Sequence, residues 1–210
     1  MKIDKEFQSR AARRLIAYNT LVQQAYTEVV KSIVNNVTPG KNIFILNNTS
    51  KNCNGVVPVK EQCYQILEND YLWFREKPLN YFQSDAKKGG PIDVYKEFTD
   101  NTQKISAGLE FETGNISSAH RSMNKLCMGI KKGEVDIAFL MMPVHNMSYF
   151  LTDRVSNYEE LEPYFPLLEE YPFVVFGFNA DKYDSNAPLL PKGKDGMSHR
   201  TPHKWDPKNQ

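Results

Sequence analysis

The sequence predicts an α/β domain, a mixed β-sheet with helices on both faces. Three observations carry that reading. Residues 135–142 and 173–178 are almost continuously apolar, as strands covered on both faces are. Residues 107–113 alternate, with Leu109 and Phe111 on one face and Glu110 and Glu112 on the other. Between these runs lie segments whose apolar residues recur every three or four positions, as on a helix face.

Taken in order, residues 4–35 are expected to be helical, because Phe7, Ala11, Leu15, Val22, Ala25, Val29 and Ile33 keep that spacing. Pro39 and Gly40 end the stretch. A second helix is expected from Pro58, a good first-turn residue, through Cys63, Ile66 and Leu67 to Glu76, with Lys77-Pro78 as its stop. Gly89-Gly90-Pro91 punctuates the entry to a strand over residues 92–98. A helix should begin at Ser117 or Ser118, each a suitable N-cap, with Ala119, Met123, Leu126 and Ile130 on its buried stripe. Strand, strand, helix, strand, strand gives the mixed sheet. We assign residues 1–180 to a single domain and residues 181–210, rich in Pro, Gly, Lys, Asp and Ser, to an extended tail.

A hydrophobic fraction of 40% is enough for a core and excludes wholesale disorder. No apolar run approaches the ~20 residues of a membrane helix, and the first residues do not resemble a signal peptide. A cytoplasmic protein without membrane contact is expected, and the three Cys, with no Cys-x-x-Cys pair, read as reduced thiols. The charge balance, 26 Lys+Arg against 25 Asp+Glu, at first argues against a nucleic-acid partner.

The carboxylates carry the chemistry. If the strands at 92–98 and 107–113 pair, Asp93 joins Glu110 and Glu112 on one face, with Ile92 and Val94 opposite, and Glu76 stands near as a fourth acid. Crowded carboxylates repel, and oxygen donors of this kind select Mg²⁺ or Mn²⁺ over zinc. Such ions promote phosphodiester hydrolysis. The plainer reading makes Glu110 and Glu112 the solvent row of an amphipathic strand.

Pro91-Ile92-Asp93 followed by Glu110-Phe111-Glu112 resembles the Pro-Asp…Asp/Glu-x-Lys nuclease motif, in the variant that ends in Glu. With the string from Lys88 to Phe98 and the one from Phe111 to Lys125, these residues resemble the BamHI family of type II restriction endonucleases. Asn52 to Pro58, Leu151 to Val155, Pro191-Lys192-Gly193 and Asp195 to Ser198 extend the likeness. It implies a PD-(D/E)xK-type restriction endonuclease fold, Mg²⁺ as cofactor with Mn²⁺ or Ca²⁺ as substitutes, and a metal-binding and catalytic set of Glu76, Asp93, Glu110 and Glu112. Glu112, where relatives carry Lys, is then the base or water-orienting group; a carboxylate can accept a proton where a protonated Lys cannot.

The same resemblance assigns major-groove contacts to Asn115, Ser117, Arg121, Asp153 and Arg154, and minor-groove contacts to Gly193, Asp195, Gly196 and Met197. Arg matches guanine O6 and N7, Asp accepts from cytosine N4, and Asn pairs with adenine. Without it, Asp153-Arg154 reads as a surface ion pair and Asn115 with Ser117 as a helix cap. The resemblance further implies the palindrome GGATCC in double-stranded DNA, cut after the first G by a homodimer, with a cognate methyltransferase in the cell that is not a bound partner. Lys131-Lys132 and Glu169 fit the family's interface ion pairs, whereas Pro166 stands where the family has an acid. The family ends in a helix, but Pro202 and Pro207 argue against one here. A catalytically inactive DNA-binding protein on this fold is the alternative, and the intact acid quartet argues against it.

Segregation reconciles the charge count. Setting aside the four acids of the quartet and the cluster Glu159, Glu160, Glu162, Glu169 and Glu170 leaves 26 basic residues against 16 acidic ones. Local field rather than net charge draws phosphates.

Overall fold

The computed structural model describes residues 1–80, 90–152 and 155–192. The first element is a strand, β1 (Lys2–Gln8), followed by α1 (Arg10–Tyr18) and α2 (Thr20–Val34), where the periodicity predicts one continuous helix. Two side-chain caps divide it: Ser9 accepts from the Ala12 N–H, and Asn19 Oδ1 accepts from Leu21 N and Val22 N at 3.0 and 3.2 Å. Phe7 is in phase with the helical stripe but belongs to β1, where its ring stacks on Phe165 at 4.8 Å.

Next come β2 (Ile45–Leu46) and α3 (Val57–Tyr71), which has Pro58 in its first turn. The helix stops at Leu72, which takes a left-handed φ of 59°, so it does not reach Glu76. Glu76 lies instead on β3 (Phe74–Lys77). Then follow β4 (Ile92–Thr99), β5 (Lys104–Phe111), α4 (Ile116–Lys131), β6 (Ile137–Pro143), α5 (His145–Ser148), α6 (Tyr158–Leu161), a 3-10 turn (Glu162–Leu168), β7 (Phe173–Asn179) and β8 (Lys182–Tyr183). The N-cap of α4 is Asn115 rather than either serine; its side chain accepts from Ser118 N.

Six strands form one mixed sheet in the order β1-β7-β6-β5-β4-β3, parallel at β7–β6 and β6–β5 and antiparallel elsewhere. β2 and β8 form a separate parallel pair. The apolar run of β6 follows from its central place: Ile137, Phe139 and Met141 face one core, Ala138, Leu140 and Met142 the other. α2 and α3 cover the first face through residues such as Val29, Ile33, Cys63 and Leu67. α4, α6 and the 3-10 turn cover the second through Met123, Leu126, Leu161 and Phe165. No helix among the described residues is long and apolar enough to cross a membrane, and the three cysteines are free thiols.

Residues 181–192 hold to the domain without forming a helix. Asp181 Oδ2 accepts from Phe44 N at 2.7 Å, and β8 pairs with β2. Further along, Gly55 N donates to Leu190 O at 2.9 Å. A Cβ on Gly55 would stand 2.0 Å from Pro191 O, so only glycine admits this close backbone approach. Gly193, Asp195, Gly196 and Met197, with the rest of the tail, lie outside the described residues.

Candidate active site and DNA-contact residues

β4 and β5 pair from Val94↔Leu109 to Thr99↔Lys104, and continuing that register sets Asp93 opposite Glu110. At this end side chains take over from the ladder. Asp93 N donates to Glu110 Oε1 at 3.2 Å, and Phe111 N donates to Asp93 Oδ2 at 3.0 Å. The strict alternation expected around Asp93 fails at one residue. Val94 packs in the core under α2 and α3, whereas Ile92 packs in the core under α4, where its Cδ1 would lie 3.1 Å from a Cβ on Gly108. Ile92 lies before the first rung of the β4–β5 ladder and is paired only on its other side, with Lys77 of β3, so the β4–β5 ladder does not fix its side.

The two acids are held from opposite helical layers. Tyr64 of α3, itself buried, donates to Asp93 Oδ2 at 2.6 Å, and Lys60 Nζ stands 3.8 Å from the same oxygen. Oδ1 of Asp93 takes no protein hydrogen bond among the described residues, which leaves it available to a cation. Burial, followed by the neighbouring Asp93 charge, raises the Tyr64 phenol well above its usual range, so it acts as a donor. Lys125 of α4 places Nζ 2.7 Å from Glu110 Oε1 and 2.6 Å from Pro91 O. Glu110 is only 3% exposed. Burial and, after it, the Asp93 charge push its pKa upward, and the Lys125 ammonium opposes that rise.

Glu112 lies one residue past β5 and is 7% exposed, which excludes the solvent-row reading. Its backbone stays on the sheet, with Glu112 N donating to Met141 O at 2.8 Å. Its Oε1 accepts from Gly114 N at 2.6 Å and its Oε2 from Ser122 Oγ at 2.8 Å. A Cβ on Gly114 would meet Oε1 at 2.8 Å, so the missing side chain gives the carboxylate room. Glu76 is exposed on the edge strand, between the pairs Arg75↔Val94 and Lys77↔Ile92, with a φ of 55°.

Among the described residues, no three acids, histidines or thiols form a ready cation cage. The structure brings Asp93 and Glu110 together, turns Glu112 toward Gly114 and Ser122, and keeps Glu76 at the edge. The paired oxygens of Asp93 and Glu110 have the donor chemistry of a Mg²⁺ or Mn²⁺ site.

The family model for restriction endonuclease BamHI matches residues 1–197. This chain belongs to the BamHI family of restriction endonucleases. It is 56% identical to the type II restriction enzyme BamHI of Bacillus amyloliquefaciens over 209 residues, covering 99% of this chain and 98% of that one. It is 36% identical to the type II restriction enzyme OkrAI of Oceanobacter kriegii over 166 residues, covering 77% and 81%. The crystal structure of restriction endonuclease BglII complexed with a DNA 16-mer superposes with a TM-score of 0.59 at 14% identity, covering 90% of this chain and 86% of that one, which shows the shared fold.

Of the base-contact residues that membership in the BamHI family suggests, Asn115, Ser117 and Arg121 lie exposed in the first turns of α4 or just before it. Asn115 also serves as the N-cap of that helix, its side chain accepting from Ser118 N. Asp153 and Arg154 lie outside the described residues; Ser156 N donates to Gly114 O at 2.7 Å. Glu169, expected to pair across an interface, is engaged within the chain, accepting from Arg10 N at 2.6 Å and standing 3.9 Å from Arg13. Pro166 sits inside the 3-10 turn.

Tyr64, Lys60, Ser122 and Lys125 are the site residues that the sequence reading misses. Ser122 and Lys125 had a visible signal: two polar residues interleaved with Met123 and Leu126 on a buried helix stripe. Tyr64 had none, since a tyrosine beside Cys63 on a buried stripe reads as core.

Proposed function

We propose that this restriction endonuclease recognises the palindrome GGATCC in double-stranded DNA and cuts after the first G of each strand, with Mg²⁺ as cofactor. The observation that carries the reading is the Asp93–Glu110 pair, two acids brought together at the open end of β4 and β5, with the buried Glu112 two residues further on, in a chain 56% identical to BamHI. A bound divalent cation supplies positive charge for the phosphate and its leaving oxygen. Asp93 and Glu110 would hold it, with Tyr64 and Phe111 N fixing Asp93 and Lys125 fixing Glu110. Glu112 orients the attacking water and accepts its proton, its position set by Gly114 and Ser122. Glu76 supports the cation site from the strand edge.

Asn115, Ser117, Arg121, Asp153 and Arg154 read bases from the major groove, and Gly193, Asp195, Gly196 and Met197 from the minor groove, the tail acting as a DNA-contacting arm. A palindromic site suits a two-fold homodimer. Tyr164 and Leu167, exposed on the 3-10 turn, with the Tyr164 ring 4.5 Å from that of His120 on α4, support that face as the dimer contact. The enzyme would work in the cytoplasm, with host sites protected by a separate methyltransferase. The test is digestion of plasmid DNA with and without Mg²⁺, followed by sequencing of the ends. Discrete Mg²⁺-dependent fragments ending at GGATCC are expected; bound but uncut DNA, or a smear, would overturn the proposal.

A further inference from the structure

α4 carries two sets of residues with different tasks. Its outer start presents Asn115, Ser117 and Arg121, all exposed. Its inner face presents Ser122 and Lys125, 5% exposed for Ser122 and 10% for the Lys125 side chain. Ser122 Oγ donates to Glu112 Oε2 at 2.8 Å, and Lys125 Nζ contacts Glu110 Oε1 at 2.7 Å and Pro91 O at 2.6 Å. Arg121 and Ser122 are adjacent residues pointing to opposite environments, and the helix between Ser117 and Lys125 is about 12 Å long at ~1.5 Å per residue. A helix of this length moves as a rigid body, so a displacement at its start reappears at Ser122 and Lys125. Two further contacts bind the same corner: Gly114 N donates to Glu112 Oε1, and Gly114 O accepts from Ser156 N, two residues after Arg154.

From this arrangement we infer that Ser122 and Lys125 are positioning residues that couple base readout by α4 to the placement of Glu112 and Glu110. The inference rests on the proposed reading of α4 as a DNA-contact helix. Recognition of the correct bases seats α4, and the two inner side chains set the carboxylates accordingly. On a site with one wrong base pair the helix seats differently and the acids lose that setting. Discrimination is thereby expressed in the cleavage step as well as in binding.

The experiment compares single-turnover cleavage by Ser122→Ala at GGATCC and at a duplex whose outer G·C pair is replaced by A·T. Removing a hydrogen-bond partner behind a metal-site carboxylate costs ~10–100-fold in activity in comparable sites. The expected result is a loss of that size at GGATCC, little change at the altered duplex, and so a discrimination ratio lower by about tenfold or more. Ser122→Thr, which restores the hydroxyl, should recover the ratio, and Lys125→Gln should lower it as Ser122→Ala does. Cognate binding in Ca²⁺, followed by fluorescence anisotropy, should be unchanged in Ser122→Ala, and Tm should fall only by the few degrees that one lost buried hydrogen bond costs. An equal loss at both duplexes, or an unchanged ratio, would overturn the coupling. The underlying reading is tested separately: Arg121→Ala leaving site preference unchanged would remove the DNA-contact role of α4 itself.

Discussion

Asp93 and Glu110 hold each other across the open end of β4 and β5: the Asp93 N–H donates to Glu110 Oε1 at 3.2 Å. Asp93 also receives Phe111 N and the Tyr64 hydroxyl on a single oxygen, Oδ2. That use of one oxygen fixes the carboxylate, while its second oxygen takes no hydrogen bond among the described residues and can face a cation. Tyr64→Phe keeps the ring, which packs edge-on against Phe111 with centroids 6.1 Å apart, and removes only the hydroxyl. The Mg²⁺ concentration giving half-maximal cleavage should rise about tenfold, and Mn²⁺ binding to the free enzyme, read by electron paramagnetic resonance, should weaken in parallel. Unchanged metal dependence would remove Tyr64 from the site.

Gly114 is tested by adding one methyl. A Cβ there meets Glu112 Oε1 at 2.8 Å and Ser118 Cβ at 3.0 Å, so either the carboxylate or the cap of α4 must shift. Gly114→Ala should lose about 1–3 kcal/mol of stability, the usual range for overpacking, and should slow cleavage. Urea unfolding and single-turnover rates check both, and a variant matching wild type in both would show that the turn yields freely.

A largely buried ion pair further along Asp93's strand supports the fold. Lys96 Nζ lies 2.9 Å from Glu28 Oε2 and 2.7 Å from Tyr71 O, and Trp73 Nε1 donates to the same Glu28 oxygen at 2.8 Å. These bonds tie α2, the end of α3 and β4 together. Lys96→Met leaves Glu28 buried without its cation and should cost about 3 kcal/mol. Chemical denaturation measures this, and cleavage well below the new Tm should remain.

Alkaline pH should weaken the fold. Burial pushes the Cys63 thiol up to about 12 from an ordinary 9.0, and Cys127 up to about 11. The unfolded chain releases these protons first, so the stabilisation is whole below pH 9 and declines as pH rises through the folded values. Each such thiol contributes a fall of at most about 1.4 kcal/mol per pH unit in that window. Unfolding free energies at pH 8 and pH 10 should show the decline, with a shallower slope for Cys63→Ala. Equal slopes would mean that Cys63 titrates normally.

The central strands, α3 and α4 were legible because their patterns are long and their covering complete; β6 shows it in Ile137 to Met142, apolar at every position. The N-terminal region misled because Phe7 falls in phase with both a strand and a helix, and the caps Ser9 and Asn19 outweigh a shared spacing. Glu76 was carried onto a helix because the break at Leu72 is a left-handed turn by a residue that rarely adopts one. That Asp93 and Glu110 come together was readable from the pairing of two predicted strands. Their partners were not: Tyr64 and Lys60 reach Asp93 from a helix about 30 residues earlier, and pairing across that separation has no local signature.

Glu112 bears the central claim, because its carboxylate is buried, held by Gly114 and Ser122, and assigned the proton of the attacking water. The most direct measurement is Glu112→Lys, assayed in parallel for binding to a GGATCC duplex and for Mg²⁺-dependent cleavage of it. Retained specific binding with cleavage abolished is the predicted result. Cleavage at the wild-type rate would contradict the account.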